Sequence, residues 1–292
     1  MKRSDIIINE VYRSEGAKLD GVFYSIIVVC LNAGKRLQDT VESILEQDYN
    51  HFEVIVKDGG SSDGSIEQLK DVLTDKRLHI YVQKDTGIYD AMNQAVKLAG
   101  GTYFLFLNAG DSFYDNAVLN KITDEIEKKK KENKRVDVVY GNLYHKSLDT
   151  FIFAAPMINE FACYRNVPCH QTCFYHRSLF AARGYDTKYN VRADYEHFLW
   201  CYYKKKALFY YVPVVVAVYE GGGYSETKEN KKRSKHQHRE IVMRYMGKKK
   251  ADKYKFIMLL TLAPLRSAIA ENRYLSGVYN GLKKAVYKIK GR

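Results

Sequence analysis

The chain has 292 residues, 46% of them hydrophobic, and a formal net charge of +13. That is enough apolar material for one large domain, or a domain with an appendage, and it excludes wholesale disorder. The charge is segregated: residues 228–292 hold 19 Lys/Arg against 4 Asp/Glu, while the rest of the chain holds 28 against 30, so the basicity belongs to an appendage suited to an anionic partner.

Residues 1–22 read as a polar lead-in. Y-S-I-I-V-V (24–29) is an apolar run of strand length that leads into Cys30, Leu31 and Asn32. Leu37, Val41, Ile44 and Leu45 then follow helical spacing, which predicts a helix over 35–47. F-E-V-I-V-K (52–57) is a second strand, ending at Asp58 of D-G-G-S-S-D-G-S. Ser61, Ser62 and Asp63 are N-cap types, predicting a second helix through Ile66, Leu69 and Val72. L-H-I-Y-V-Q (78–83) is a third strand, with Asp85 just beyond it. A third helix begins near Ile88 and presents Ala91, Ala95 and Leu98, with Gly100 and Gly101 at its end. T-Y-F-L-F-L (102–107) is a fourth strand and runs into Asn108-Ala109-Gly110-Asp111; a fourth helix follows and ends in the charged run 127–135, and V-D-V-V-Y (136–140) is a further strand. Beyond it come C-H-Q-T-C-F-Y (169–175), a helical A-D-Y-E-H-F-L-W-C (193–201), a strand-like 208–219 and a G-G-G-Y-S loop (221–225).

Apolar strands alternating with helical patterns imply a parallel sheet buried on both faces, with right-handed crossovers. Ligands of such sheets bind outside the carboxyl ends of the strands. Here every strand end carries an acidic or amide side chain, and converging carboxylates are costly unless a cation sits among them. A metal and something that the metal binds are therefore expected in that crevice. Two competing motifs fail. A P-loop ending at Gly34-Lys35 would need glycine at Val29, and the first turn lacks G-x-G-x-x-G. Cys169, His170, Cys173 and His176 lack the paired spacing of a zinc site.

The five cysteines, Cys30, Cys163, Cys169, Cys173 and Cys201, are odd in number and show no secreted disulfide pattern. The opening M-K-R-S-D-I-I-I-N-E has no long apolar stretch, and F-I-M-L-L-T-L-A (256–263) is far short of the roughly 20 residues of a membrane span. A reducing, cytoplasmic setting is the expectation. The 25 tyrosines suit half-wet surfaces such as sugar contacts, although ordinary strand and core positions account for most of them.

S-I-I-V-V-C-L-N, E-V-I-V-K-D-G-G-S-S-D-G-S and F-L-N-A-G-D, in this order and spacing, resemble glycosyltransferase family 2, closest to members that build bacterial capsular and exopolysaccharides, where G-I-Y-D-A-M-N and H-Q also recur. The resemblance covers about residues 24–225. It implies an α/β fold of GT-A type, with a Rossmann-like, mostly parallel central sheet flanked by helices. It also implies inverting transfer from a nucleotide-sugar donor to a saccharide or lipid-linked saccharide, with Mg²⁺ or Mn²⁺. On this reading residues 23–140 are the nucleotide-sugar half, 141–227 the acceptor half, and 228–292 a basic helical extension.

Carried over residue by residue, the resemblance gives Asp58 the nucleotide base, with turn formation before Gly59-Gly60 as the alternative role. Cys30, Leu31, Asn32, Asp85, Asn93 and Asn108 join the donor site. Met92 stands where many relatives have a basic residue, so a phosphate-contacting cation must come from elsewhere. Asp111 keeps the metal-binding position of the family's acidic D-x-D pattern, while Asn108 and Gly110 replace other carboxylates; one carboxylate with diphosphate oxygens and water suffices for Mg²⁺. Asp194 matches the general base that accepts the proton of the attacking hydroxyl. His197, three residues on, shares its helix face, whereas Glu196 points away. His170 and Gln171 match the H-Q pair near acceptor and diphosphate, and Gly222, Gly223 and Ser225 resemble a loop able to close over the donor.

Leu275, Val278, Tyr279, Leu282, Val286 and Ile289 form one helical stripe, with Lys283, Lys284, Lys288 and Lys290 largely off it. Such a helix either lies in a membrane interface, making 250–292 a contact for an anionic surface, or packs on the protein's own core. Nucleic acid ranks last as a partner, because no recognised motif accompanies the charge. A non-catalytic membrane-bound scaffold and a nucleotidyltransferase of similar fold are the alternative functions.

Overall fold

The computed structural model describes residues 21–70, 72–165 and 167–261. The amphipathic stripe at 275–289 and nearly all of the lead-in lie outside the described residues. In chain order the elements are β1 (Tyr24–Cys30), α1 (Lys35–Leu45), β2 (Phe52–Asp58), β3 (Leu78–Val82), α2 (Ile88–Val96), β4 (Tyr103–Phe106), β5 (Ser112–Phe113) and α3 (Val118–Lys131). They continue with β6 (Val138–His145), β7 (Thr150–Ile152), α4 (Glu160–Arg165), β8 (Cys173–His176), α5 (Arg177–Ala182), α6 (Ala193–Tyr203), β9 (Phe209–Tyr219) and α7 (Lys228–Leu260).

The order across the sheet is β3-β2-β1-β4-β8-β6-β9-β5, with β7 paired to β6. β1 is parallel to β2 and β4, and β2 to β3, so these four strands end at the same edge. Their apolar runs follow from burial on both faces. Ile26, Val28, Val54 and Val56 pack with Leu37, Val41 and Ile44 of α1 and Leu119 and Ile122 of α3. The alternate residues Ile27, Val29 and Ile55 pack with Ala91, Met92 and Ala95 of α2. This is the two-residue period of a strand between two helical layers.

Four sequence expectations need correction. The helix expected after Ser61–Asp63 is a single 3₁₀ turn, Glu67–Leu69. Gly64 there has φ +82°, and Asp63 accepts from the backbone N–H groups of Ser65 and Gly34, at 3.0 and 2.9 Å, rather than capping a helix. α2 ends at Val96, short of Gly100-Gly101. Gly101 serves close approach instead of capping, since a Cβ there would lie 2.5 Å from the Ser25 nitrogen. Asp111 immediately precedes β5, which pairs antiparallel with β9, and the following helix starts only at Val118 and contains much of the lysine run. Finally β6 does not join β4: β8 is inserted between them, antiparallel to both.

α7 is one long element with non-helical backbone at Gly247 (φ 72°, ψ 166°). Its Ile241, Val242 and Met246 are buried against the layer that contains α6. Glu196 of α6, wholly buried, anchors it: Arg183 pairs with this carboxylate, the Tyr245 hydroxyl donates to it, and Arg244 lies 3.3 Å away. All five cysteines are free. Among the described residues, no helix is long and apolar enough to cross a membrane.

Candidate active site

A cleft of about 1330 Å³ opens at the carboxyl ends of β1 and β4. Of the residues singled out in the sequence, Cys30, Leu31, Asp85, Asn108, Asp111, His170, Gln171, Asp194, Gly223 and Ser225 line it. The loop after β4 delivers Asn108 and Asp111, and the helix start after Arg192 delivers Asp194. Between them sits the 3₁₀ turn His170–Thr172, just before the inserted strand β8.

That turn joins the two carboxylates. Gln171 Nε2 donates to Asp111 Oδ2 at 2.7 Å, and His170 Nδ1 lies 3.3 Å from Asp194 Oδ2. A carboxylate only accepts, so Nδ1–H is the donor there, and Nε2 lies 3.2 Å from Asn108 Nδ2. The Tyr89 hydroxyl donates to Asp194 Oδ1 at 2.9 Å. Burial acts to raise the Asp194 carboxyl, but the His170 hydrogen bond and charge, with Arg192, outweigh it and hold the group below the usual carboxylate range. Asp111 goes the other way: burial raises it, and the bonds from Gln171 and the Glu220 N–H only partly offset that.

Four candidates lie elsewhere. Asp58 is 1% exposed and is used by its own turn. Its Oδ2 accepts from the N–H groups of Gly60 and Ser61 at 2.9 and 2.8 Å, and the Ser61 hydroxyl and Cys30 thiol donate to Oδ1. These bonds build the turn before Gly59-Gly60. Asn32 (φ 51°) accepts from Ser62 N–H across the same loop. Asn93 pairs with the backbone N–H and C=O of Tyr185 at 2.8 and 2.9 Å, which satisfies its amide away from the cleft. His197 is wholly buried and stacks on Phe180 at 4.4 Å; burial pushes its imidazole down to about 3. It shares the α6 turn with Asp194 but faces the aromatic core.

Several lining residues escaped the sequence reading. Arg36, Arg165 and Arg192 line the cleft, where Met92 brings no positive charge. Arg192 stands two residues before Asp194, a spacing that could have marked it. Lys57 is fully buried and bonds Asp85 Oδ2 at 3.1 Å and the backbone carbonyls of Asp58 and Gln83. A lysine inside an apolar strand run was its signal. Gly59 leaves room for that pair, since a Cβ there would approach Asp85 Oδ2 to 2.8 Å. At the other rim Glu226 accepts from the Tyr219 hydroxyl and Gly222 N–H, tying the glycine loop to β9.

Among the described residues no three His, Cys, Asp or Glu side chains are grouped to cage a metal. The donor set does fit a hard divalent ion shared with a ligand. Asp111 is a cleft-facing carboxylate, and the buried Oδ1 of Asn108, three residues before it, has no hydrogen-bond partner. Mg²⁺ takes one or two protein oxygens and draws the rest from phosphates and water.

Comparison with known proteins places this geometry. The sequence profile described as Glycosyl transferase family 2 matches residues 25–202. A "PGL/p-HBAD biosynthesis glycosyltransferase" of Mycobacterium bovis is 36% identical over 208 residues, 70% of this chain and 79% of that protein. Two solved structures share the fold at low identity. One is the mannosyltransferase PcManGT of Pyrobaculum calidifontis in complex with GDP-Man and Mn²⁺ (TM-score 0.60, 19% identical, 92% of this chain and 81% of that one). The other is S. aureus TarS 1-349 in complex with UDP-GlcNAc (TM-score 0.55, 15% identical, 80% and 69%). The GT-A-type α/β fold expected from the sequence is the fold of these proteins. With its profile match and a relative of this identity and coverage, the chain belongs to glycosyl transferase family 2.

Proposed function

We propose that this family member is an inverting enzyme that moves a sugar from a nucleotide-diphosphate sugar, most simply a UDP-sugar, to a saccharide or lipid-linked saccharide in surface polysaccharide or glycolipid synthesis. The observation that carries this reading is the bond pattern of one turn, with Gln171 on Asp111 and His170 on Asp194. A leaving-group site at Asp111 and a proton acceptor at Asp194 thus face one cleft. The nucleotide sugars named in the two structures of like fold, and the PGL/p-HBAD biosynthesis named for the mycobacterial relative, agree with it.

In the proposed reaction the acceptor hydroxyl attacks the anomeric carbon from the side opposite the diphosphate. The new carbon–oxygen bond forms as the bond to the phosphate oxygen breaks, and the electron pair leaves with the nucleoside diphosphate. Asp194 takes the hydroxyl proton, held in place by Tyr89 and His170. Asp111 and Asn108 would hold Mg²⁺ or Mn²⁺, which when bound stabilises charge on the departing diphosphate. Arg36 and Arg192 add fixed positive charge to the same cleft. Asp85, ordered by Lys57, and Leu31 form the donor wall, which Asp58 shapes through its turn. The 221–225 loop covers the donor, and residues 250–292 hold the enzyme to an anionic membrane surface on the cytoplasmic side.

The test is release of nucleoside diphosphate from UDP-, GDP-, dTDP- and CDP-sugars with Mg²⁺ or Mn²⁺, for wild type and Asp111→Ala. One donor class should turn over, and the variant should lose about 10²-fold or more, as for removal of one main electrostatic contact to the transition state. Release of pyrophosphate would mark a nucleotidyltransferase. Nucleotide binding without any turnover would mark a scaffold.

A further inference from the structure

The cleft is larger than the roughly 300–1,000 Å³ of a typical small-molecule site, at about 1330 Å³, and its lining is of two kinds. Asn108, Asp111, His170, Gln171 and Asp194 make one part polar. The other is walled by Ile152, Phe153, Pro156 and Met157 after β7 and by Phe161 of α4. Ile152 and Met157 are 40% and 69% exposed, so this apolar surface meets solvent inside the cleft rather than joining a core.

The segment is held from behind. Asn142 Oδ1 accepts from Ala154 N–H at 3.0 Å, and the Tyr140 hydroxyl donates to the Ala155 carbonyl at 2.7 Å, both from β6. Two of its backbone groups are thereby turned to the sheet, and the side chains of Ile152, Phe153, Pro156 and Met157 that line the cleft are apolar. α4 is fixed as firmly: the Tyr195 hydroxyl donates to the Cys163 carbonyl at 2.7 Å, and Phe161 packs on Tyr254 of α7 at 5.5 Å. Asn159 and Arg165 are polar members of this rim. A bare oligosaccharide would leave a fixed apolar wall wet beside the proton acceptor, whereas an apolar group would remove that area from water.

We infer that the acceptor carries an apolar group, aryl or alkyl, next to the hydroxyl that receives the sugar, and that residues 152–161 are its subsite. This rests on the transferase reading above, because it takes Asp194 to mark the acceptor end of the cleft. The test uses the full chain with UDP and Mn²⁺, and titrates methyl, phenyl and octyl glucosides below micelle concentration by calorimetry. Phenyl or octyl glucoside should bind about tenfold more tightly than methyl glucoside, the worth of roughly one buried apolar side chain. The phenyl and octyl arms decide between an aryl and an alkyl acceptor. Met157→Asp, at an exposed loop position, and Ile152→Ser should each abolish most of that preference while leaving UDP affinity unchanged. Equal binding of the three glucosides, or a preference that both substitutions leave intact, overturns the inference and leaves the transferase reading standing. Failure of UDP to bind wild type overturns both.

Discussion

Replacing Asp194 with asparagine removes a proton acceptor and leaves almost every contact in place. An asparagine Oδ1 still accepts from the Tyr89 hydroxyl, which lies 2.9 Å from that position. Its amide N–H can donate to His170 Nδ1 once the histidine takes its other tautomer. Nε2–H then faces Asn108 Nδ2, so that one 3.2 Å contact is lost while Asn108 Oδ1 keeps its position. Exchanging charged for neutral hydrogen bonds costs about 1 kcal/mol, which is roughly 2–4 °C in melting temperature for a chain of this size. Loss of the base removes about 10²–10⁴-fold in turnover, or about 3–5 kcal/mol of barrier. The assay is nucleoside diphosphate release at saturating donor, beside a thermal melt. A companion His170→Ala variant reads the same group through pH. His170 helps to hold the Asp194 carboxyl below the usual carboxylate range, so wild-type turnover should persist as pH falls through that range. Without His170 burial prevails, and the acid limb should move to higher pH. Turnover of Asp194→Asn within a few-fold of wild type, or an acid limb that stays in place in His170→Ala, would refute the assignment of the base.

Two further outcomes follow from buried groups. Arg183→Met leaves the Glu196 carboxylate, wholly buried, with Arg244 and Tyr245 alone; unfolding by denaturant should show a loss of about 3 kcal/mol or more, and a loss under about 1 kcal/mol would mean that α7 is not anchored there. His197 stays neutral down to about 3 when folded, against about 6.5 when unfolded. As pH falls below 6.5 the unfolded chain binds the extra proton and the folded state loses about 1.4 kcal/mol per pH unit. His197→Phe should remove that slope between pH 6 and 4 in thermal melts, and an unchanged slope would place the acid sensitivity in another group.

The apolar strands were legible because a strand between two helical layers must be apolar on both faces, as β1 and β4 are, whereas the edge strand β3 is only half-buried. Asp111 and Asp194 were legible for a different reason: strand ends and helix starts project their side chains into the crevice wherever the rest of the fold lies. What strand periodicity could not show was β8. Four residues after a 3₁₀ turn have too little pattern to declare a strand, yet their insertion beside β4 is what brings Gln171 to Asp111 and His170 to Asp194.

The sequence by itself determined the layered α/β order, the parallel edge and the residue types gathered there, since all of these follow from local hydrophobic period and from motifs a few residues long. Only the tertiary structure decided which polar groups remain available. Asp58 and Asn93 satisfy neighbouring backbone, and His197 sinks among aromatic rings, whereas Asn108 keeps a bare oxygen and Arg36 and Arg192 line the cleft. Hydrogen-bond demand and burial are settled among residues distant along the chain, so a local reading names the candidates while packing selects from them.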